Sequence, residues 1–176
     1  TGSVFSMPTD TVKGQMSAVV EGRTVTNLLG GDGDCEDTSV YAAASNTSFS
    51  LNSSNKVSGA NSFKITLTND STGAIYTKSA NKYPIKPNTY YFVSAYVDSG
   101  TLSNYIRIKF DTDATDRTGD NYLTTGFQRV GMVVTPEHYG TATEFWIAVQ
   151  VDGLSGEYGN IDAIMVNEIS VDEYNN

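Results

Sequence analysis

The residues best equipped for chemistry in this chain are aromatic rings set beside hydrogen-bond donors. Trp146 is the single tryptophan, and eleven tyrosines accompany it. In Glu144–Asp152 the apolar residues Phe145, Ile147, Val149 and Val151 alternate with Glu144, Trp146, Ala148, Gln150 and Asp152. Such alternation marks a strand with one buried face and one outward face. In Tyr105–Phe110 the apolar set is Ile106, Ile108 and Phe110, which turns Tyr105, Arg107 and Lys109 outward. In Tyr90–Asp98, Tyr91, Val93, Ala95 and Val97 read as core, leaving Tyr90, Phe92, Ser94, Tyr96 and Asp98 outside. Trp146, Arg107, Tyr105, Gln150 and Tyr96 are therefore the candidate binding residues. Rings stack on the apolar C–H faces of sugars, and a guanidinium and an amide bond their hydroxyls. The same ring types also cover sheet edges without binding anything. Tyr122, Tyr139 and Tyr158 read as loop residues and offer a second, end-on arrangement.

Catalysis finds little support. Nucleophilic mechanisms need an activating base. The single histidine, His138, sits in Thr135-Pro136-Glu137-His138-Tyr139-Gly140, which reads as a solvated loop. No Gly-x-Ser-x-Gly elbow and no phosphate-cradling Gly-rich loop is present. With twenty carboxylates some pairs fall close by chance, and nothing in the spacing singles out a glycosidase pair.

The elements that must carry these residues are short strands. Ser48–Leu51, Ser62–Thr68, Ala74–Lys78, Tyr90–Asp98, Tyr105–Phe110, Gln128–Thr135, Glu144–Asp152 and Asn160–Ile169 carry the signals, separated by Gly, Asn, Asp and Ser clusters. No helical apolar period persists. The pattern predicts an all-β fold, a two-sheet antiparallel β-sandwich. Asp111–Asp120 and Gly153–Gly159 read as polar loop tips. Residues 1–24 read as an N-terminal connector, interrupted by Pro8, Gly14 and Gly22, within which Gln15–Val20 has strand character. Residues 25–176 form the domain.

Composition narrows the partners. The chain has 176 residues and a net charge of −9, with only eleven Lys and Arg, scattered along it. Phosphate backbones and anionic membrane surfaces need clustered cations, so neither is an expected partner. No apolar run is long enough to span a bilayer. The lone Cys35 forms no intrachain disulfide and excludes a multi-cysteine zinc site. The Thr1-Gly2-Ser3 start carries no signal-peptide pattern.

Four motifs together resemble the jelly-roll carbohydrate-binding modules. Asn27-Leu28-Leu29-Gly30 is followed by Gly33-Asp34-Cys35-Glu36-Asp37, with Cys35 where such modules usually carry Phe. Ser58-Gly59-Ala60-Asn61-Ser62-Phe63-Lys64-Ile65 resembles a characteristic strand opening. Thr89-Tyr90-Tyr91-Phe92-Val93-Ser94-Ala95-Tyr96-Val97 and Gly159-Asn160-Ile161-Asp162-Ala163-Ile164-Met165-Val166 resemble two later strands, the last with a buried Asp. Asp10-Thr11-Val12-Lys13-Gly14-Gln15 together with Glu21-Gly22-Arg23-Thr24-Val25-Thr26-Asn27-Leu28 resembles the junction before such modules in tail and baseplate proteins of phages and prophages of Gram-positive bacteria.

The resemblance implies a jelly-roll sandwich that recognises a polysaccharide or cell-surface glycan without catalysis, outside the cell or on a virion. It also implies one structural calcium, with carboxylates from Glu36 and Asp162 and further oxygens near Asp34 and from Lys56–Ser62. Calcium takes six to eight oxygen ligands, and an ion there would clip the two ends of the domain together. Asp111-Thr112-Asp113-Ala114-Thr115-Asp116 has the acids of a calcium loop but lacks the Gly and terminal Glu of an EF-hand. The competing expectation is an assembly module, a homo-oligomer within a larger parent protein whose outward rings pack on neighbouring subunits.

Overall fold

A computed structural model describes residues 17–20 and 23–175. The expected connector lies largely outside the described residues. Its remainder holds β1 (Ser17–Val20), paired antiparallel with β2 (Arg23–Thr26) as a separate hairpin.

The domain is a β-sandwich of two antiparallel sheets. Its strands are β3 (Tyr41–Ala43), β4 (Thr47–Asn52), β5 (Ser62–Leu67), β6 (Ser71–Thr77), β7 (Tyr83–Pro84) and β8 (Tyr90–Asp98). They continue with β9 (Tyr105–Thr112), β10 (Asp116–Thr118), β11 (Gln128–Val134), β12 (Glu144–Gly153) and β13 (Tyr158–Ile169). One sheet has six strands in the order β10-β9-β12-β6-β3, with β7 also on β12. The other has five, in the order β11-β8-β13-β5-β4. Two short α-helices lie among the described residues, α1 (Pro136–Tyr139) and α2 (Val171–Asn175).

Alternating side chains build the core. Phe63, Ile65 and Leu67 of β5 and Tyr91, Val93 and Val97 of β8 are buried from one sheet. Ile106, Ile108 and Phe110 of β9 and Phe145, Ile147, Val149 and Val151 of β12 meet them from the other. Phe110 stacks on Phe145 with centroids 4.4 Å apart and lies 5.8 Å from the Tyr91 ring. Strand bounds depart from the sequence reading where alternation is short or polar. Asp111–Asp120, expected as a loop tip, instead ends β9 and forms β10, because Lys109 faces Thr118 across the pair.

Strand β13 breaks register between Asp162 and Met165, at Ala163 with φ of 50°. The bulge turns Ile164 and Val166 into the core and Met165 to the outer face. The segment before β3 then docks on this strand. Leu28 N–H donates to Val166 O at 2.8 Å. Asn27 Nδ2 donates to Ile164 O at 2.9 Å, and its Oδ1 accepts from Val166 N–H at 2.9 Å. Gly33 approaches so closely that a Cβ there would stand 2.1 Å from Ile164 O.

Candidate functional site

Register across β9, β12 and β6 decides which outward side chains meet. Arg107 lies opposite Gln150, Tyr105 opposite Asp152, and Trp146 opposite Asp111. On the far side of β12, Ala148 pairs with Tyr76, Gln150 with Ala74, and Asp152 with Thr72. Tyr105, Arg107, Trp146 and Gln150 thus share the outer face of the six-stranded sheet.

Arg107 is the best-fixed of them. Its Nε donates to Gln150 Oε1 at 2.9 Å and its Nη1 to Asn121 Oδ1 at 3.1 Å. Its guanidinium carbon lies 4.5 Å from the Tyr105 ring centroid. The Tyr105 hydroxyl is 3.3 Å from Thr72 Oγ1. Thr72 and Asn104 both donate to Asp152. This end of the face is a preformed row of polar groups around one ring.

Trp146 stands at the other end. Lys82 Nζ lies 4.9 Å from its ring centroid and is held by Asp113 at 2.9 Å. Beside it Lys109 Nζ bridges Asp111 at 3.1 Å and Asp116 at 2.7 Å. Burial and the neighbouring Asp116 raise the Asp111 carboxyl above its usual value, against the pull of Lys109. The exposed Asp116 is lowered by the Lys109 hydrogen bond. Burial would lower the Lys109 ammonium, but its two carboxylates outweigh burial and raise it.

Tyr96 is not part of this group. It lies on the outer face of the five-stranded sheet, across the core, with the Arg129 guanidinium 5.3 Å from its ring. Arg129 Nη2 also donates to Ser94 Oγ at 2.7 Å. Alternation tells which way a side chain points from its own sheet, but not which sheet its strand joins. The loop tyrosines do not form an end-on set either. Tyr139 is buried in α1 and bonds Thr89, Tyr122 bridges to Ile106, and Tyr158 opens β13 beneath Lys64. His138 caps α1, its Nδ1 accepting from Thr135 N–H at 3.0 Å.

Sequence reasoning missed Tyr76, Lys82 and Asn121. Tyr76 was readable as outward, since Ile75 beside it is apolar. Lys82 and Asn121 reach the face from loops, which no strand pattern announces.

Glu36 and Asp162 converge on one loop, 53–61, which lies over the five-stranded sheet. Asp162 Oδ2 accepts from Val57 N–H at 2.7 Å and Ser58 N–H at 3.0 Å, and its Oδ1 from Ala163 N–H at 2.7 Å. Glu36 Oε1 accepts from Ala60 N–H at 2.5 Å and Asn61 N–H at 3.0 Å, and its Oε2 from Asn61 Nδ2 at 2.8 Å. Asp34 Oδ1 accepts from Glu36 N–H at 3.0 Å. Burial raises Asp162, and the negative Glu36 adds to that against three N–H donors. Burial also pushes Glu36 up, but its bonds from Asn61 and Ala60 and the nearby Lys56 hold it below the usual value. As a cation site the donor chemistry fits in part. Two carboxylates of like charge sit within electrostatic reach and keep acceptor capacity beyond their N–H partners. Among the described residues no third His, Cys, Asp or Glu joins them as a ligand group.

No family model matches the chain, and no curated protein matches it in sequence. Solved structures match its fold. A xylan-binding domain of family CBM22 from Paenibacillus barcinonensis superposes with a TM-score of 0.59 at 9% identity, covering 76% of this chain and 88% of that one. A family 16 carbohydrate-binding module gives 0.56 at 19% identity, covering 80% and 99%. The bacteriophage CBA120 tailspike protein 4 enzymatically active domain gives 0.59 at 11% identity, covering 78% of this chain and 21% of that one. An arabinose-bound α-L-arabinofuranosidase also matches, and the chain spans about a quarter of its length (24%). The fold is thus a β-sandwich like that of these carbohydrate-binding modules. Among the described residues no helix is long and apolar enough to cross a membrane.

Proposed function

We propose that this domain is a non-catalytic glycan-binding module whose binding surface is the outer face of the six-stranded sheet. The observation that carries the reading is the row Arg107–Gln150–Asn121 beside Tyr105. Its partners fix the guanidinium beside the Tyr105 ring, so hydroxyls meet donors whose ordering is already paid for by the fold. Loop 53–61 lies over part of the opposite sheet, tied down by Asp162, Glu36 and the Asn55–Asp98 bond of 2.7 Å. The shared fold with carbohydrate-binding modules supports the reading.

The setting proposed is extracellular, on a secreted glycan-active protein or on a phage tail, where several copies would raise a weak single-site affinity. Calcium at the Glu36–Asp162 clip is also proposed. Its support is that both carboxylates hold neighbouring parts of one loop and that Glu36 adds to the raising of the buried Asp162 carboxyl.

Affinity electrophoresis in gels containing soluble polysaccharides, with pull-down on insoluble ones, tests the function. Retardation by at least one glycan, lost in Arg107→Ala, is the expected result. No binding to any glycan, with a stable oligomer by light scattering, would place the domain among assembly modules instead.

A further inference from the structure

On that reading of the outer face, we infer that Tyr76 is its stacking platform and that the ligand is an uncharged pyranose chain. Tyr76 pairs with Ala148 of β12 on one side and Ala42 of β3 on the other. Ala74, two residues earlier on β6, extends the low ground toward Gln150. A ring flanked by alanines stands clear of its neighbours. At 37% it is the most exposed large aromatic on this face, and among the described residues no hydrogen bond or ring contact engages it. The two rings that the sequence puts forward are otherwise committed. Lys82 lies over Trp146, and Arg107 lies over Tyr105. Each cation would have to leave before a sugar could stack on the ring face it covers.

Position favours Tyr76 as well. It is one strand and one outward step from both Trp146 and Gln150, about 8 Å from each on sheet geometry. A sugar on Tyr76 therefore has the indole at one edge and the Gln150–Arg107 pair at the other.

Charge decides the ligand class. Lys109 is shared by Asp111 and Asp116, and Lys82 is taken by Asp113. Arg107 faces the amides of Gln150 and Asn121 rather than a carboxylate, and Lys78, past the end of β6, donates to Ser39 O. Asp152 lies across from Tyr105 on the same face. With a chain charge of −9, a uronic acid or phosphate polymer meets net repulsion here. A neutral sugar meets rings and amides.

The test compares variants by affinity electrophoresis in xylan, mixed-linkage β-glucan and β-1,4-galactan, with polygalacturonate as the charged probe. In whichever neutral glycan retards the wild type, Tyr76→Ala weakens binding by about tenfold or more, while Tyr76→Phe stays within about twofold. Trp146→Ala loses less than Tyr76→Ala. Unchanged melting of Tyr76→Ala, expected for an exposed ring, shows that the loss lies in binding. Wild-type affinity in Tyr76→Ala with loss in Trp146→Ala or Arg107→Ala overturns the platform but keeps the glycan reading. Retardation by polygalacturonate alone overturns the ligand class and keeps the reading too. Binding to none of the four removes the reading and this inference together.

Discussion

Glu36 and Asp162 grip a single loop from opposite ends of the chain. Asp162 takes the N–H groups of Val57 and Ser58, and Glu36 takes those of Ala60 and Asn61. Gly59 between them has φ of 61°, and a Cβ there would stand 2.1 Å from Glu36 Oε1. The loop closes over the five-stranded sheet because both carboxylates hold its backbone.

Removing the inner carboxylate is the direct test of that clip. Asp162 is fully buried, and Asp162→Ala leaves three N–H groups without their acceptor. The raised carboxyl means that its own burial already costs something, so the loss is about 2–3 kcal/mol. Chemical denaturation should show a lower midpoint at unchanged slope. A wild-type midpoint would remove the clip from the account of stability.

Acid should separate the two carboxylates. Glu36 is lowered, so its contribution is in place above the unfolded value of 4.5 and is lost as pH falls through the folded value. Asp162 is raised, so it disfavours the fold once pH rises past 3.8, and protonation relieves that cost. Glu36→Gln should therefore melt lower at neutral pH and lose less on acidification. Asp162→Asn should show a steeper loss than wild type. Melting curves between about pH 3 and pH 7 distinguish them; parallel curves for all three proteins would contradict the assigned shifts.

Calcium is the sharper question at the same place. With the ion held by Glu36 and Asp162, prolonged chelation lowers the melting temperature by several degrees, and Asp162→Ala becomes insensitive to chelator. Elemental analysis then finds about one calcium per chain. A metal-free protein with an unaltered melt would leave the two carboxylates held by N–H groups of the loop and of Ala163 rather than by an ion.

Asn27 offers a prediction independent of the clip. It is 3% exposed, and its amide spans Ile164 O, Val166 N–H and Leu29 N–H. Asn27→Ala should cost about 2–4 kcal/mol, and Asn27→Asp nearly as much, because the donor to Ile164 O is lost. Thermal unfolding would read this as a fall of several degrees. A near-neutral Asn27→Ala would show that the docking rests on the Leu28–Val166 and Asn167–Thr26 bonds instead.

Asn27, Glu36 and Asp162, with the strands around the outer face, mark how far the sequence could be read. The alternation in β9 and β12 was legible because one face is buried, so Ile106 and Ile147 had to be apolar where Arg107 and Trp146 did not. Asn27, Glu36 and Asp162 were legible as motif positions, but their partners were not. Hydrogen bonds to backbone N–H groups leave no trace in the identity of Val57 or Ala60. Strands as short as Tyr41–Ala43 and Asp116–Thr118 were missed because three residues carry no period.

The outer row of Tyr105, Arg107, Trp146 and Gln150 was set by the sequence through the period-two rule. Each of those strands announces its own buried face. The pairing of Arg107 with Gln150, and the exile of Tyr96 to the other sheet, came only with the tertiary structure. Strand order and register depend on contacts between distant segments, and a local pattern holds no record of its neighbour. The same reason hid Tyr76. Its ring stands free because Ala148 and Ala42, far away in sequence, lie on either side of it.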